Sequence, residues 1–530
     1  MTTSSNAVPN GNGGDLPFAR DLFSAADQLR GSVESAEYKH LVLGLIFLKY
    51  ISDSFERQRA RIDSWTRDPE NDEYFTDNAD ERHDILEDRD EYVSENVFWV
   101  PEGARWSELM TAVTQPDIGE RVDKALKVIE AENENQLRGV LPRIYARAPL
   151  HPTTLGELVK TIDRIGFGDD EETARDILGR TYEYFIKTFA RNEGHRGGEF
   201  YTPASVTRLL VEMLEPYEGR VFDPACGSGG LFVQSAKFVK AHDGRPRDIR
   251  IYGQEKNQAT WRIGRMNLAI HGLSGDLRYT EGGSLLDDQF QSLRADFVLA
   301  NPPFNQKAWG VDRVSKDSRW KYGLPPDGNA NYAWIQHFIA HLAPDGRAGF
   351  VMANGSLTSN SGGEGAIREA IVRDDLLDCV VACPAQLFYT TGIPVCLWFL
   401  DRDKASEGKR DRRGEVLFVD ARAMGEKLSR TQVELTEAGI GRIASKYHEW
   451  RNGSDFADEE GFCRSATLNE IEAHKFALTP GRYVGAAWSD DGAGPAGERI
   501  AALQTELAHQ FEKAEELRDL IAERFGVTTR

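Results

Sequence analysis

Apolar residues recur every three or four positions between residue 17 and about residue 59. Leu22, Ala26, Leu29 and Val33 form one series, and Leu41, Leu45 and Leu48, continued by Ser52, a second. This is the spacing of helices that bury one face. The same period returns over about 118–144 and 153–165. Residues 16–165 are therefore expected to form a helical N-terminal domain, behind a small, polar, Gly-rich stretch at 1–15 expected to be disordered. After Gly198 the pattern changes. Short β-rich runs at 220–223, 249–253, 297–300, 348–353, 377–382 and 395–400 alternate with amphipathic helical stretches. Such alternation predicts an α/β fold, a mostly parallel Rossmann-like sheet with crossover helices, over 166–425. Beyond about residue 403 a charged stretch leads into a region, 426–490, expected to be helical. A Gly- and Ser-containing linker at 489–498 then isolates a final helix within 491–530. Its Ile500, Leu503, Leu507, Phe511, Ala514, Leu517, Ile521 and Phe525 follow a coiled-coil seam suited to binding a partner.

Charge alters this picture. The chain carries 85 acidic and 64 basic residues, a formal −21, and the run 67–96 is strongly acidic and expected to be a solvated surface. A protein that grips nucleic acid alone usually presents a basic stripe. If DNA is handled here, much of the phosphate contact must come from another subunit or from local basic patches. The longest apolar stretch, 41–51, is too short to span a bilayer and contains Lys49. With no basic leader before it, a cytoplasmic location is expected. The five cysteines are few and irregularly spaced, and no metal site is expected from them.

Three motifs carry chemistry. The first is Phe222-Asp223-Pro224-Ala225-Cys226-Gly227-Ser228-Gly229-Gly230, between a short strand and a helix. Glycines there let a ligand approach the backbone closely. Phe232 stands where a dinucleotide fingerprint needs its third glycine, and no Lys follows as in a phosphate-binding P-loop. Asp-Pro-x-x-Gly-Ser-Gly suits the nucleoside and methionine end of S-adenosyl-L-methionine better than a pyrophosphate. One βα unit later, Glu255 ends the next strand, placed to accept hydrogen bonds from both hydroxyls of a ribose. The third motif, Asn301-Pro302-Pro303-Phe304, follows the apolar strand 297–300. Two prolines hold a rigid extended turn where ligands bind in parallel sheets. The Asn301 amide oxygen and the Pro302 carbonyl make two fixed acceptors for the two hydrogens of an exocyclic amine, and Phe304 offers a face for a base. An amine inside a duplex is out of reach, so base flipping is implied.

With these motifs in place, the chain resembles the modification subunits (HsdM) of type I restriction-modification systems. LFSAADQLRGSVESAEYKHLVLGLIFLKYISDSFE near the N-terminus, FWVPEGARW at 98–106, GGEFYTPASV at 197–206 and GNANYAWIQHFIAHLAPDGRAGFVMANGSL at 328–357 carry the resemblance across nearly the whole chain. The order of motifs is that of the γ-type amino-methyltransferases. The resemblance implies an adenine-N6 DNA methyltransferase using S-adenosyl-L-methionine. Glu199, Phe200, Tyr201, Thr202, Pro203 and Ala204 would line the cofactor pocket, with Asp223 and Gly227 in the glycine turn. Ser228, Gly229 and Gly230 would meet the methionine part and Glu255 the ribose; Asn301, Pro302, Pro303 and Phe304 would hold the target adenine. It further implies a DNA specificity subunit that selects the sequence and receives the C-terminal helix, a second modification subunit, a restriction subunit and double-stranded DNA. One departure stands out. The family's G-[DN]-[ST]-L turn reads Gly282-Gly283-Ser284-Leu285 here, so a backbone group or Asp287 would have to serve the cofactor's adenine. An adenine methyltransferase of another phage-defence system, a protein-glutamine methyltransferase, an N4-cytosine methyltransferase and a silent assembly scaffold are the alternatives. The glutamine enzymes usually follow N-P-P with Tyr, and the cytosine enzymes commonly begin the motif with Ser.

Overall fold

The computed structural model describes residues 35–95, 97–164, 171–193, 202–388, 393–430, 432–485, 504–505, 507–508 and 510–514. Met1–Val484 form one compact unit and Gly485–Arg530 a second. In the first unit the long helix α1 (Ser35–Arg67) buries Leu41, Val42, Leu43, Leu45, Ile46, Phe47 and Leu48 completely. A helix apolar all round belongs inside a bundle, and α2 (Ile118–Glu132), α3 (Pro152–Asp163) and α4 (Glu171–Glu193) supply it. The 98–106 loop is structural. Asn133 clasps the Trp99 backbone from both sides at 3.0 and 2.9 Å, and Trp106 Nε1 donates to Asp163 at 2.8 Å. The acidic run 67–96 is largely exposed as expected, but it contains two short helices, Ala79–Leu86 and Asp90–Val93.

Helix α5 (Ala204–Leu214) leads into the sheet. Its strands are β1 (Gly219–Asp223), β2 (Ile249–Glu255), β3 (Gly275–Tyr279), β4 (Ala295–Ala300), β5 (Leu342–Ala353), β6 (Leu377–Ala382), β7 (Val395–Asp401) and β8 (Glu415–Asp420). Between them run α6 (Gly230–Ala241), α7 (Gln258–Ile270), the one-turn α8 (Gly283–Leu286), α9 (Asn331–His341) and α10 (Glu364–Arg373). The spatial order β3-β2-β1-β4-β5-β7-β6-β8, with β7 antiparallel to both neighbours, is the Rossmann-like arrangement with one reversed strand. All six β-rich runs read from the sequence lie in these strands.

The segment 426–490, expected to be a helical region, differs. It holds the end of a small hairpin, β9 (Gly425–Lys427) and β10 (Val433–Leu435), then α11 (Glu437–Asn452). It also holds β11 (Cys463–Thr467), which pairs antiparallel with β8 and completes a nine-stranded sheet. Tyr447 of α11 donates to buried Asp378 of β6 at 2.7 Å, and Arg412 joins Asp378 to Asp401. This stretch shares the α/β core, and its charged surface residues hid that from a reading by period. In the second unit the described residues of 504–514 are helical, with Leu507 54% and Phe511 64% exposed; most of the expected seam lies outside the described residues. Among the described residues no helix is long and apolar enough to cross a membrane.

Candidate active site

The connections turn to opposite sides between β1 and β4, where Phe222 pairs with Val298. In open α/β sheets the crevice beyond the C-terminal strand ends at that point takes the ligand. The glycine turn ends β1 and N-P-P-F leaves β4, so two motifs far apart in sequence face one crevice.

The glycine turn is held by its neighbours' backbone and side chains. Gly227 and Gly229 sit at φ 53° and 76°, a region that favours glycine. Gly227 N donates to Glu255 at 3.0 Å, Cys226 N to the Gln254 carbonyl at 3.1 Å, and Asn267 Nδ2 to the Ser228 carbonyl at 2.8 Å. A Cβ on Gly264 of α7 would stand 2.9 Å from the Gly227 carbonyl, and one on Gly230 would meet nothing within 4 Å. The turn is thus packed from below and open above, the cradle a bulky nucleoside ligand needs. Glu255, half-buried, fixes the turn through one oxygen and accepts from Asn257 N through the other at 2.8 Å. Burial pushes the Asp223 carboxyl up to about 8, and Glu255 adds to the rise, against the hydrogen bond from Ala225 N at 2.9 Å. Burial likewise raises the Cys226 thiol, which stays protonated and packs in the core.

At β4 the polar groups are arranged differently. Asn301 Nδ2 donates to Thr202 Oγ1 at 3.0 Å, and its Oδ1 is buried with no partner among the described residues. The prolines continue into a strained turn. Asn305 and Ala308 are left-handed at φ 53° and 49°, costing on the order of 1–3 kcal/mol each. Asn331, at the start of α9, pins that turn by accepting from Asn305 N and donating to its Oδ1, both at 3.0 Å. Phe304 is half-buried and meets Phe388 edge to face, centroids 5.7 Å apart.

Of the expected residues, Thr202, Pro203, Asp223, Gly227, Ser228, Gly229, Glu255, Asn301, Pro302, Pro303 and Phe304 lie at the C-terminal strand ends or on the segment entering α5. Ala204 is exposed in the first turn of α5, and Gly230 is exposed at the start of α6. Glu199, Phe200 and Tyr201 lie outside the described residues. At the departing position, Gly283 has φ 63°, a conformation Asn and Asp also tolerate. The glycine therefore holds a backbone conformation open to Asn or Asp but brings no side chain to the turn. The Asp287 carboxylate accepts from Gln289 Nε2 and its carbonyl from Gln254 Nε2, both at 2.7 Å. Reading by motif missed Phe388, the Asn305–Asn331 clasp and Arg319. The last, almost buried, donates to the Ser284 and Leu285 carbonyls at 3.0 and 2.8 Å and so braces the turn from outside. Arg319 also donates to His337 Nδ1 at 2.8 Å, beside His341 and Asp288. That donation keeps the imidazole proton on Nε2, which is buried with no partner among the described residues, so His337 offers no lone pair there to a cation, while His341 Nε2 meets Asp288 at 3.0 Å. No sequence pattern pointed to these residues, because their partners come from distant loops.

Comparison with known proteins gives this site its class. The N-6 DNA Methylase family model matches residues 173–491, and the HsdM N-terminal domain model matches 18–162. The chain belongs to the N-6 DNA methylase family. It is 40% identical over 514 residues to the type I restriction enzyme MjaIX methylase subunit of Methanocaldococcus jannaschii, covering 96% of this chain and 90% of that one. It is 42% identical over 445 residues to the HindI methylase subunit of Haemophilus influenzae, covering 81% and 99%. The crystal structure of a type I restriction-modification methyltransferase subunit from Streptococcus thermophilus superposes with a TM-score of 0.71 at 25% identity, covering 88% and 99%. Within its family, the chain is a type I restriction-modification methylase subunit, an N6 DNA methyltransferase.

Proposed function

We propose that this subunit transfers the methyl group of S-adenosyl-L-methionine to N6 of an adenine flipped out of double-stranded DNA, at sequences chosen by a separate specificity subunit. The observation that carries the reading is that Oδ1 of Asn301, directly after β4 and next in the chain to the Pro302 carbonyl, is buried with no partner among the described residues. A buried acceptor left without a donor costs roughly 1–3 kcal/mol, so its place in a ligand crevice argues for a donor that arrives with the substrate. An exocyclic amine supplies two. Accepting both hydrogens, Asn301 and Pro302 turn the nitrogen lone pair out of the ring plane toward the glycine turn. Phe304 stacks on the flipped base, with Phe388 as the side wall. Residues 199–204, Asp223, Gly227, Ser228, Gly229, Gly230 and Glu255 hold the cofactor, Glu255 at the ribose. The open space above Gly230 and the left-handed glycines fit such a ligand. The cofactor supplies an electrophilic methyl on a sulfonium; the chain supplies alignment and acceptors.

The same reading makes 16–165 a helical N-terminal domain and 491–530 the segment that binds the specificity subunit. A second methylase subunit and a restriction subunit complete the assembly, in the cytoplasm. The net charge of −21 fits a subunit that shares DNA binding with a partner. The test mixes the purified chain, with and without its specificity subunit, with tritiated S-adenosyl-L-methionine and unmodified genomic DNA, beside Asn301→Ala. Label in N6-methyladenine that requires both the partner and Asn301 is expected. Cofactor binding without label in DNA would sink the proposal.

A further inference from the structure

The hydrogen bond between Thr202 and Asn301 joins the segment assigned to the cofactor to the residue assigned to the base. The two ends of a carboxamide have nearly the same shape and differ in that one donates and the other accepts. For Asn301 the difference decides the substrate. With Oδ1 toward the crevice the site takes a 6-amino group; with Nδ2 there it would take a 6-carbonyl. The buried Oδ1 has no partner among the described residues to hold it. Nδ2 has one, Thr202 Oγ1 at 3.0 Å. A hydroxyl can donate or accept, but it has a single proton. When that proton is directed to an acceptor on the cofactor, only lone pairs face Asn301, and the amide must present its NH2 to Thr202 and its oxygen to the base.

We propose that Thr202 is a positioning residue that couples cofactor binding to the orientation of the Asn301 amide, so that the site becomes selective for an adenine amine once the cofactor is bound. Thr202 is well placed to do this. It directly precedes Pro203 and α5, whose Val206, Leu209 and Leu210 are buried in the core on the sheet, and Thr207 Oγ1 donates back to the Pro203 carbonyl at 3.1 Å. The inference rests on the assignment of residues 199–204 to the cofactor and of Asn301 to the base.

The experiment uses the complex of this subunit with its specificity subunit and a duplex bearing the site that the wild-type complex methylates. Affinity is measured for duplexes with adenine or hypoxanthine at the target position; hypoxanthine carries a 6-carbonyl in place of the amine. Both are measured without cofactor and with saturating S-adenosylhomocysteine. In the wild type the preference for adenine is expected to widen about tenfold when S-adenosylhomocysteine is bound. Thr202→Val keeps the shape and removes the hydroxyl. It should abolish that widening and slow single-turnover methylation by about 100-fold at saturating cofactor, while Thr202→Ser restores both. A cofactor effect on the preference that survives in Thr202→Val would overturn the proposal, as would a wild type whose preference ignores the cofactor. Failure of the underlying reading looks different: the wild-type complex would then form no N6-methyladenine at all.

Discussion

The two halves of the crevice differ in what holds the groups assigned to the ligand. On the cofactor side the backbone of the glycine turn is held by Glu255, Gln254 and Asn267, with Ser284 Oγ donating to the Pro224 carbonyl from the neighbouring turn, although Asn267 Oδ1 behind it is buried without a partner among the described residues. On the target side the Asn301 amide oxygen is buried without a partner among the described residues, and two non-glycine residues hold left-handed backbone. Satisfied polar groups make a rigid mould. Unsatisfied ones, supported by a strained turn, store an interaction for the substrate. The contrast predicts that the first half is most sensitive to added bulk beneath it and the second half to a change in its acceptors.

The comparison can be broken most sharply at Phe304. Base–aromatic stacking is worth roughly 1–3 kcal/mol, so Phe304→Ala should lower single-turnover methylation at subsaturating DNA by about ten- to a hundredfold. Cofactor affinity, measured by equilibrium dialysis, should stay within about twofold. A matching loss of cofactor binding would show that the halves are not separate. Gly264→Ala makes the reverse incision. Its Cβ would press on the Gly227 carbonyl, a backbone atom at 2.9 Å, and overpacking of this kind costs roughly 1–3 kcal/mol. Cofactor affinity should fall about tenfold, while the residual transfer step at saturating cofactor stays near wild type.

A third effect is a slope with pH. The folded Asp223 carboxyl is raised to about 8 by burial, above an unfolded value of about 4. Between those values the unfolded chain binds fewer protons than the folded one, so stability falls as pH rises from about 4 through about 8. Thermal unfolding of wild type beside Asp223→Asn should show the wild type declining more steeply over that window. Parallel curves would mean that Asp223 is ionised in the fold at neutral pH, and the cofactor side would then carry a buried charge.

α7 shows how far local pattern can be trusted. Its amphipathic spacing is visible, yet the helix has two buried faces. Ile263, Met266 and Ile270 pack into the N-terminal helical cluster, while Gly264 and Asn267 support the glycine turn. Arg262 and Arg265 tie it to the Gly139 and Gln136 carbonyls at 3.0 and 2.6 Å. A periodic pattern marks which residues are buried but not against what. The same limit hid β8 and β11, whose alternation is short and flanked by charge.

The sequence by itself determined the α/β alternation, the helical N-terminal region, the glycine turn, the acid ending β2 and the N-P-P-F turn. Each is local: a period, a φ that only glycine accepts easily, a proline pair that stops a strand. Tertiary structure alone decided that β11 joins the sheet, that Phe388 walls Phe304, that Arg319 braces the Gly283 turn and that Thr202 meets Asn301. These depend on which loops the crossing strands bring to one edge of the sheet, and a hydrogen bond between residues 99 positions apart leaves no periodic trace in the chain that makes it.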